Sequence, residues 1–505
     1  MSESIRHYKP LHQGSISCLA LLLILLPIAL LAQNAQPAEH DSGHASSRAS
    51  NCDLVLNVRD AARCIAEVPA AATIPKLDST HTYDLAELID IAESSSPEAR
   101  IAWAQAKQSL ERTGIDRAEY LPLMSFATQA EDARVLVPFP KPIAPRGYVT
   151  VEDPTLSAEL ELQYSILDFG RRSRLESAKA VEIASTLRLG RTQQTVEYSV
   201  ATQFYRTQQA QGELDAAQAI LQTAETLEDS AQSEFDHGRA TLPDLQNAKA
   251  GAAEARLSLA AAEGAVKKEK LALTEAIGIE PTDEIALAPQ STDESEAFES
   301  SVETLIQTAW KARPDLLARA QDLRHSQQDY KTARSAYLPS VDFHAAGGQT
   351  AIWPSADYGD LGHGSIATWS GLAELRWEVF NGARRHEVSS SLAEEKAAAE
   401  QQRATQDAVT RQVWEAYVDY QTALQQEQAA QSFLSAAQTS YNSSLDAFRY
   451  GVRSLVDVVE AERQLAQARL GAVRARASRL QSEISLSYAT GEMLHDDSSP
   501  TRIQP

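Results

Sequence analysis

A chain of 505 residues has room for several globular domains, yet 43% hydrophobic residues with only 6% aromatics argue instead for one elongated body. Ala, Gln, Glu, Ser and Leu crowd the chain, the residue types of long helices packed side by side. A formal net charge of -23 sets aside nucleic acid and anionic membrane surfaces as partners, since both need clustered Lys and Arg.

Residues 1–35 read as a signal peptide: Arg6 and Lys9 precede an apolar run from Leu19 to Ala32, and small and polar residues follow. An uncleaved anchor is the alternative, but the run is shorter than the ~20 residues a spanning helix needs, and Pro27 interrupts it. Cys18 precedes the run, whereas a lipid-bearing cysteine would follow it. Residues 36–83 are expected to form a partly disordered N-terminal periplasmic segment. It holds Cys52 and Cys64, which in an oxidising compartment could form a disulfide or remain two free thiols. No later stretch is apolar enough to span a membrane as a helix, so any crossing falls to strands.

Downstream, the sequence is written twice. Phe235, Gly238, Leu242 and Asp244 recur as Phe448, Gly451, Leu455 and Asp457, a shift of 213 (448 − 235). The same shift pairs Leu162, Tyr164 and Ile166 with Leu375, Trp377 and Val379. Upstream, Pro97, Tyr120, Leu121, Pro122 and Phe126 match Pro314, Tyr337, Leu338, Pro339 and Phe343 at a shift of 217 (337 − 120). The change of four falls in a Pro- and Gly-rich stretch of each copy, which marks a surface loop. The first repeat covers 84–278 and the second 301–491. An acidic equatorial linker, 279–300, joins them, and 492–505 is a C-terminal tail.

Each repeat reads helix, strand, loop, strand, long helix, break, helix. Strands are predicted near 120–130, 156–167, 338–348 and 371–380. Leu160, Leu162, Tyr164 and Ile166 alternate with Glu159, Glu161, Gln163 and Ser165, and the second copy alternates likewise, leaving one apolar and one charged face. A small soluble sheet packed on helices has this pattern too. Combined with an export signal, it fits lipid outside and water inside a membrane barrel. Four strands are too few to close one, because the smallest barrels need about eight, so several chains must share it.

Helices are predicted over 84–118, 172–236, 243–277, 301–335, 383–450 and 455–490. Between Ala383 and Tyr450 there is neither Gly nor Pro, and such a run reaches roughly 100 Å at 1.5 Å per residue. Val413, Tyr417, Tyr420 and Leu424, then Leu434, Ala437, Tyr441, Leu445 and Phe448, step by threes and fours along it, as a packing seam does. The matching first-copy helix carries Gly190 and Gly212, each costing about 1 kcal/mol relative to Ala, so packing must support it.

No catalytic constellation is visible. Asp168-Phe169-Gly170 resembles a kinase metal-binding triplet but lacks the accompanying loops. Its counterpart is Asn381-Gly382, and an Asp and an Asn at equivalent points before helices suit strand-to-helix N-caps. The eleven histidines have no metal-site spacing, so neither an enzyme nor a cofactor is expected.

The breaks at Gly238 and Gly451 are either plain hairpin turns or docking tips. Leu242 and Leu455 are apolar residues at points expected to face solvent, which favours docking. Asp457 and Glu460 fall in a first helical turn, where they either complement the helix dipole or line the mouth of a tunnel.

At these residues the sequence resembles the TolC family of outer-membrane efflux proteins. Phe448 to Val458 looks like that family's second hairpin tip and Phe235 to Ala248 like its first; the likeness runs from about 84 to 491. It implies a mainly α fold with a small β part: long antiparallel coiled-coil helices forming an α-barrel, and four transmembrane strands per chain. Three chains would form a trimeric α/β barrel in the outer membrane with a long periplasmic extension. It would serve as a passive exit duct of a tripartite efflux or type I secretion system, with a periplasmic adaptor, an inner-membrane pump and outer-membrane lipid as partners. By position, Asp244, Arg453, Asp457 and Glu460 would border the periplasmic aperture, and Gly238, Leu242, Gly451, Ser454 and Leu455 would receive the adaptor. Phe448 departs from the pattern, lacking a tyrosine hydroxyl used in the family's closing network. The competing expectation is a periplasmic coiled-coil scaffold or adaptor without a pore.

Overall fold

The structure, a computed structural model, describes residues 57–67, 81–142, 144–282, 284–288, 300–357 and 359–493. All of them belong to the larger of two units, residues 49–505. The signal peptide, Cys52 and residues beyond 493 lie outside the described residues.

A short helix α1 (Val58–Glu67) is followed by β1 (Thr82–Tyr83), α2 (Leu85–Ser95) and α3 (Pro97–Ala118). The hairpin β2 (Leu123–Pro138) and β3 (Tyr148–Leu167) leads into α4 (Arg171–Asp236) and the returning α5 (Leu242–Ile277). After β4 (Ala286–Leu287) the same succession recurs: α6 (Val302–Ala312), α7 (Pro314–Ser335), β5 (Ser340–Ile352), two two-residue strands β6 (Ser355–Ala356) and β7 (Gly359–Asp360), β8 (Gly364–Arg376), α8 (Arg384–Arg449) and α9 (Leu455–Thr490). Both long helices have 66 residues and both returning helices 36.

Two expected helices are each broken in two. The runs 84–118 and 301–335 divide at Ser96 and Arg313, because Pro97 and Pro314 follow. Proline lacks the N–H that an uninterrupted helix needs and disfavours helical backbone in the residue before it. Within the N-terminal segment expected to be loose, residues 58–67 are helical. There Cys64 is buried against Ala106 and Leu189 and is disulfide-bonded.

Among the described residues, separate apolar clusters recur along the helices in place of one core. Leu88, Val200, Phe204, Leu273 and Ile277 join α2, α4 and α5, while Leu305, Val413, Tyr420 and Leu486 do the same for α6, α8 and α9. In α4, a Cβ on Gly212 would stand 2.9 Å from Val473 of α9, so this glycine, weak in an isolated helix, lets two helices approach closely.

A buried carboxyl group interrupts the apolar clusters. Glu182 of α4 is fully buried and neither carboxylate oxygen has a hydrogen-bond partner. Thr113 beside it spends its hydroxyl on the Ser109 carbonyl at 3.2 Å. Burial pushes the Glu182 pKa up, and the nearby Thr113 hydroxyl, Arg117 and Lys179 offset this only in part. The folded chain therefore keeps this proton to higher pH than the unfolded chain does, and stability is lost as pH rises through the raised value. Glu182→Gln is expected to stabilise the fold by about 1–3 kcal/mol at neutral pH. The gain should vanish below the ordinary carboxylate range near ~4, which denaturant titrations of the helical signal at two pH values will check.

Candidate functional site

The four long strands form an antiparallel sheet in the order β2-β3-β5-β8, and the small β6–β7 hairpin continues beside β3. The ladders extend beyond the predicted spans because each strand follows its partner: β2 and β3 pair from Leu123↔Gln163 to Pro138↔Tyr148. β8 stops at Arg376, opposite the first residue of β5, so 377–380 lie outside the sheet.

Residues opposite one another share a face. Met124, Leu162, Ala345 and Gly371 make one row, and Phe126, Leu160, Gly347 and Trp369 the next. Rows on the opposite face read Ser125, Glu161, Ala346, Ser370 and Ala127, Glu159, Gly348, Thr368. One face is thus apolar and the other polar. Leu160, Leu375 and Trp369 of the apolar face are exposed, Trp369 to 87%. Such a face left to solvent is a surface that something must cover. Among the described residues, β2 and β8 each pair on one side only, so both sheet edges are open.

At the strand-to-helix junctions the expected caps are corrected. The N-caps of α4 and α8 are Gly170 and Ala383, and neither makes a side-chain cap. Asp168 and Asn381 each sit two residues earlier and accept from the backbone N–H of that N-cap residue, at 2.7 and 2.9 Å. The turn into each helix takes two residues more than a direct cap allows, so these side chains hold the turn and not the first helical amides. Asp168 also pairs with Arg174 at 2.5 Å, as does Glu119 at 2.6 Å.

Sequence reasoning missed the larger feature of these junctions. Arg171 and Arg384, the first residue of each long helix, are buried. Arg171 donates to the Ser165 carbonyl and Arg384 to that of Glu378; each guanidinium lies 5.2 Å from a tyrosine ring, Tyr120 and Tyr337 respectively. Both arginines and both tyrosines obey the shifts of 213 and 217, which is the signal that could have found them.

At the far ends of the long helices, the two hairpin turns have one geometry. Gly238 and Gly451 take φ of +72° and +71°, a left-handed conformation that suits glycine, and their N–H groups donate to Phe235 and Phe448 at 2.9 Å. Thr241 and Ser454 then open α5 and α9 with capping boxes, in which Asp244 and Asp457 accept from the backbone N–H of the cap residue at 3.0 Å. Hydrogen bonds from Thr241 hold the Asp244 pKa below the usual carboxylate range; Ser454, helped by Arg453, does the same for Asp457.

The structure brings the aperture candidates together incompletely. Asp244 and Arg453 line one cleft of about 930 Å³ between the two tips, with Arg239, Glu234 and Asp229. Among the described residues they form no ion pair with each other; Arg453 reaches Ser444 at 3.4 Å. A smaller cavity of about 140 Å³ is lined by Asp244, Glu460 and Arg463, the last a residue the sequence reading passed over. Asp457 lines neither of these two and is exposed.

Of the docking candidates, Leu242 is 54% exposed as expected, but Leu455 is buried. It packs with Leu227, Ala231, Leu245, Ala248 and Val458, a cluster drawn from both tips that Phe448 flanks. Equivalent positions differ because the second tip lays its leucine against the first. The exposed apolar groups of the second tip are Tyr450, Val452 and Val456.

Comparison with known proteins bears on this arrangement. The sequence profile of the family described as "Outer membrane efflux protein" matches twice, over residues 88–279 and 305–492. Protein CyaE of Bordetella pertussis is 26% identical over 430 residues, covering 83% of this chain and 86% of the relative. The toluene efflux pump outer membrane protein TtgC of Pseudomonas putida is 24% identical over 414 residues, covering 81% and 83%. The crystal structure of the Campylobacter jejuni CmeC outer membrane channel superposes with a TM-score of 0.69 at 17% identity, over 92% of this chain and 96% of that one. At that identity the last likeness speaks for the fold. The family profile covers well over half of the chain, and with it the sheet, both long helices and both tips: the chain belongs to the outer membrane efflux protein family and is an efflux channel protein of the outer membrane.

Proposed function

We propose that three copies of this chain close their four-stranded sheets into one twelve-stranded barrel in the outer membrane, continued into the periplasm by a tunnel of the long helices. The observation that carries this is the sheet itself, apolar on one face, polar on the other and open at both edges. Such a sheet satisfies its outer backbone groups only by joining another, and a closed barrel is the form a bilayer admits. Lipid then covers the apolar face and water the polar one.

Two repeats, 84–278 and 301–491, build each subunit, preceded by a signal peptide at 1–35 and a periplasmic segment at 36–83, joined by the linker 279–300 and followed by the tail 492–505. Equal helix lengths and the double match to one family profile support the division. Cys52 is the proposed partner of Cys64. The subunit does no chemistry. It is the exit duct of a system whose inner-membrane pump supplies the energy and whose adaptor engages the tips, and the names of relatives such as the toluene efflux pump protein support that reading.

The mouth of the tunnel lies at the tips, where Asp244, Arg453, Asp457 and Glu460 border the aperture. Solvated links between such charges contribute about 0.2–1 kcal/mol each, so an adaptor can part the tips at small cost. Arg453→Ser combined with Asp244→Ala is expected to raise single-channel conductance in planar bilayers several-fold. Conductance equal to that of the unaltered channel would remove both residues from the gate.

A further inference from the structure

The shifts that relate the two halves of the sequence also govern the hydrogen-bond register of the sheet. Moving β2 forward by 217 residues and β3 by 213 turns the pair Leu123↔Gln163 into Ser340↔Arg376, and Val135↔Val151 into Ile352↔Gly364. Both derived pairs are present, at the two ends of the β5–β8 ladder. The two hairpins therefore correspond in register residue by residue, and the difference of four residues falls beyond Val135 and Ile352, where the first hairpin continues to Pro138↔Tyr148.

One further ladder, β3–β5, joins the first hairpin to the second. Its counterpart under the same shifts joins β8 to a β2, and β2 of the same chain is at the opposite edge of the sheet. From this we infer the register in which β8 of one copy pairs with β2 of the next. Resting on the shared barrel proposed above, the inference supplies what that reading leaves open, namely which residue meets which. Ser157↔Thr350 becomes Ser370 opposite Ala133 of the neighbouring copy, and Leu162↔Ala345 becomes Leu375 opposite Thr128.

Three features are consistent with it. The strand directions alternate through β2, β3, β5 and β8, so a following β2 is antiparallel to β8, as the shifted ladder requires. The faces match: Leu375 and Thr128 belong to the apolar rows, and Ser370 and Ala133 to the polar ones. A slip of one residue would put every side chain of the neighbour on the wrong face. Finally, Leu156↔Ala351 becomes Trp369 opposite the neighbour's Arg134. Trp369 is 87% exposed in the single chain and faces Gly347 on its other side, which leaves room for its ring over that guanidinium, itself paired with Glu152 at 3.5 Å.

Disulfide trapping tests the register. In the full-length protein in outer membranes, A133C with S370C is expected to give covalent dimers and trimers on non-reducing gels, absent from either single variant. S157C with T350C, the equivalent pair inside one chain, serves as the control for local geometry. E131C with S370C and V135C with S370C, each two residues out of register, should cross-link at least roughly fivefold less, since diagonal Cβ atoms stand about 7–8 Å apart. If a displaced pair cross-links best, the register is wrong while the shared barrel stands. If no interchain pair reacts although the control does, and detergent-extracted protein has the mass of one chain, the shared barrel itself is lost.

Discussion

Gly348→Val should nearly abolish assembled channel, whereas Gly347→Val, one residue away, should be tolerated. A Cβ on Gly348 would stand 2.1 Å from the Ala158 carbonyl oxygen and 2.7 Å from the Glu159 Cα, both backbone atoms of the paired strand that cannot swing aside. At Gly347 the nearest atom to a new Cβ, the Thr368 carbonyl oxygen, is 4.0 Å away, and the side chain would join the apolar face beside Trp369. Overpacking that forces backbone apart costs about 3 kcal/mol or more, enough to deplete the correctly paired β3–β5 ladder roughly a hundredfold. That ladder unites the two halves of the sheet, so its loss leaves two isolated hairpins, which are marginal by themselves. Heat-resistant oligomers in outer-membrane fractions, measured by immunoblot, should fall by roughly tenfold or more for Gly348→Val and by less than about twofold for Gly347→Val. Equal yields from both would mean that the strands are not so closely apposed.

The second large effect separates two leucines that the sequence treats as equivalent. Leu242→Glu places a carboxylate at the first residue of α5, exposed and at the favourable end of the helix dipole, so stability should change by no more than about 0.5 kcal/mol. If the tip receives an adaptor through this residue, export by the complete system should nonetheless fall by an order of magnitude while oligomers persist. Leu455→Glu instead buries a charge among Leu227, Leu245 and Val458, at a cost of about 3–5 kcal/mol. Its expected signature is local: proteolytic nicking near Gly238 and Gly451, and increased conductance as the joined tips separate. Export that survives Leu242→Glu would withdraw the docking role from that leucine. Protease resistance in Leu455→Glu would contradict the shared tip core.

Much of this molecule is legible in one dimension because its elements are long and its patterns are local. A run of 66 helical residues without Pro in either repeat leaves little alternative to helix, and alternation of Leu and Glu in β3 assigns the two faces of the sheet before any partner strand is known. The helix breaks at Ser96 and Arg313 were available too, in Pro97 and Pro314, since proline acts on its own backbone and that of its immediate neighbour. The capping boxes of Thr241 with Asp244 and Ser454 with Asp457 are likewise local, three residues apart.

What sequence alone determined, then, was much of what is set within a few residues of chain or repeated at a fixed shift: the long helices, the alternation of the strands, the positions of the tips and the correspondence between the two family matches. Tertiary structure decided what depends on neighbours distant in the chain, from 47 residues (384 − 337) to 228 (455 − 227). It buried Leu455 under the first tip while exposing Leu242, buried Glu182 between helices, and placed Arg171 and Arg384 against tyrosines. Burial is a property of the packed assembly and not of the residue, so two leucines at equivalent positions can differ in exposure when only one of them has a partner helix laid across it.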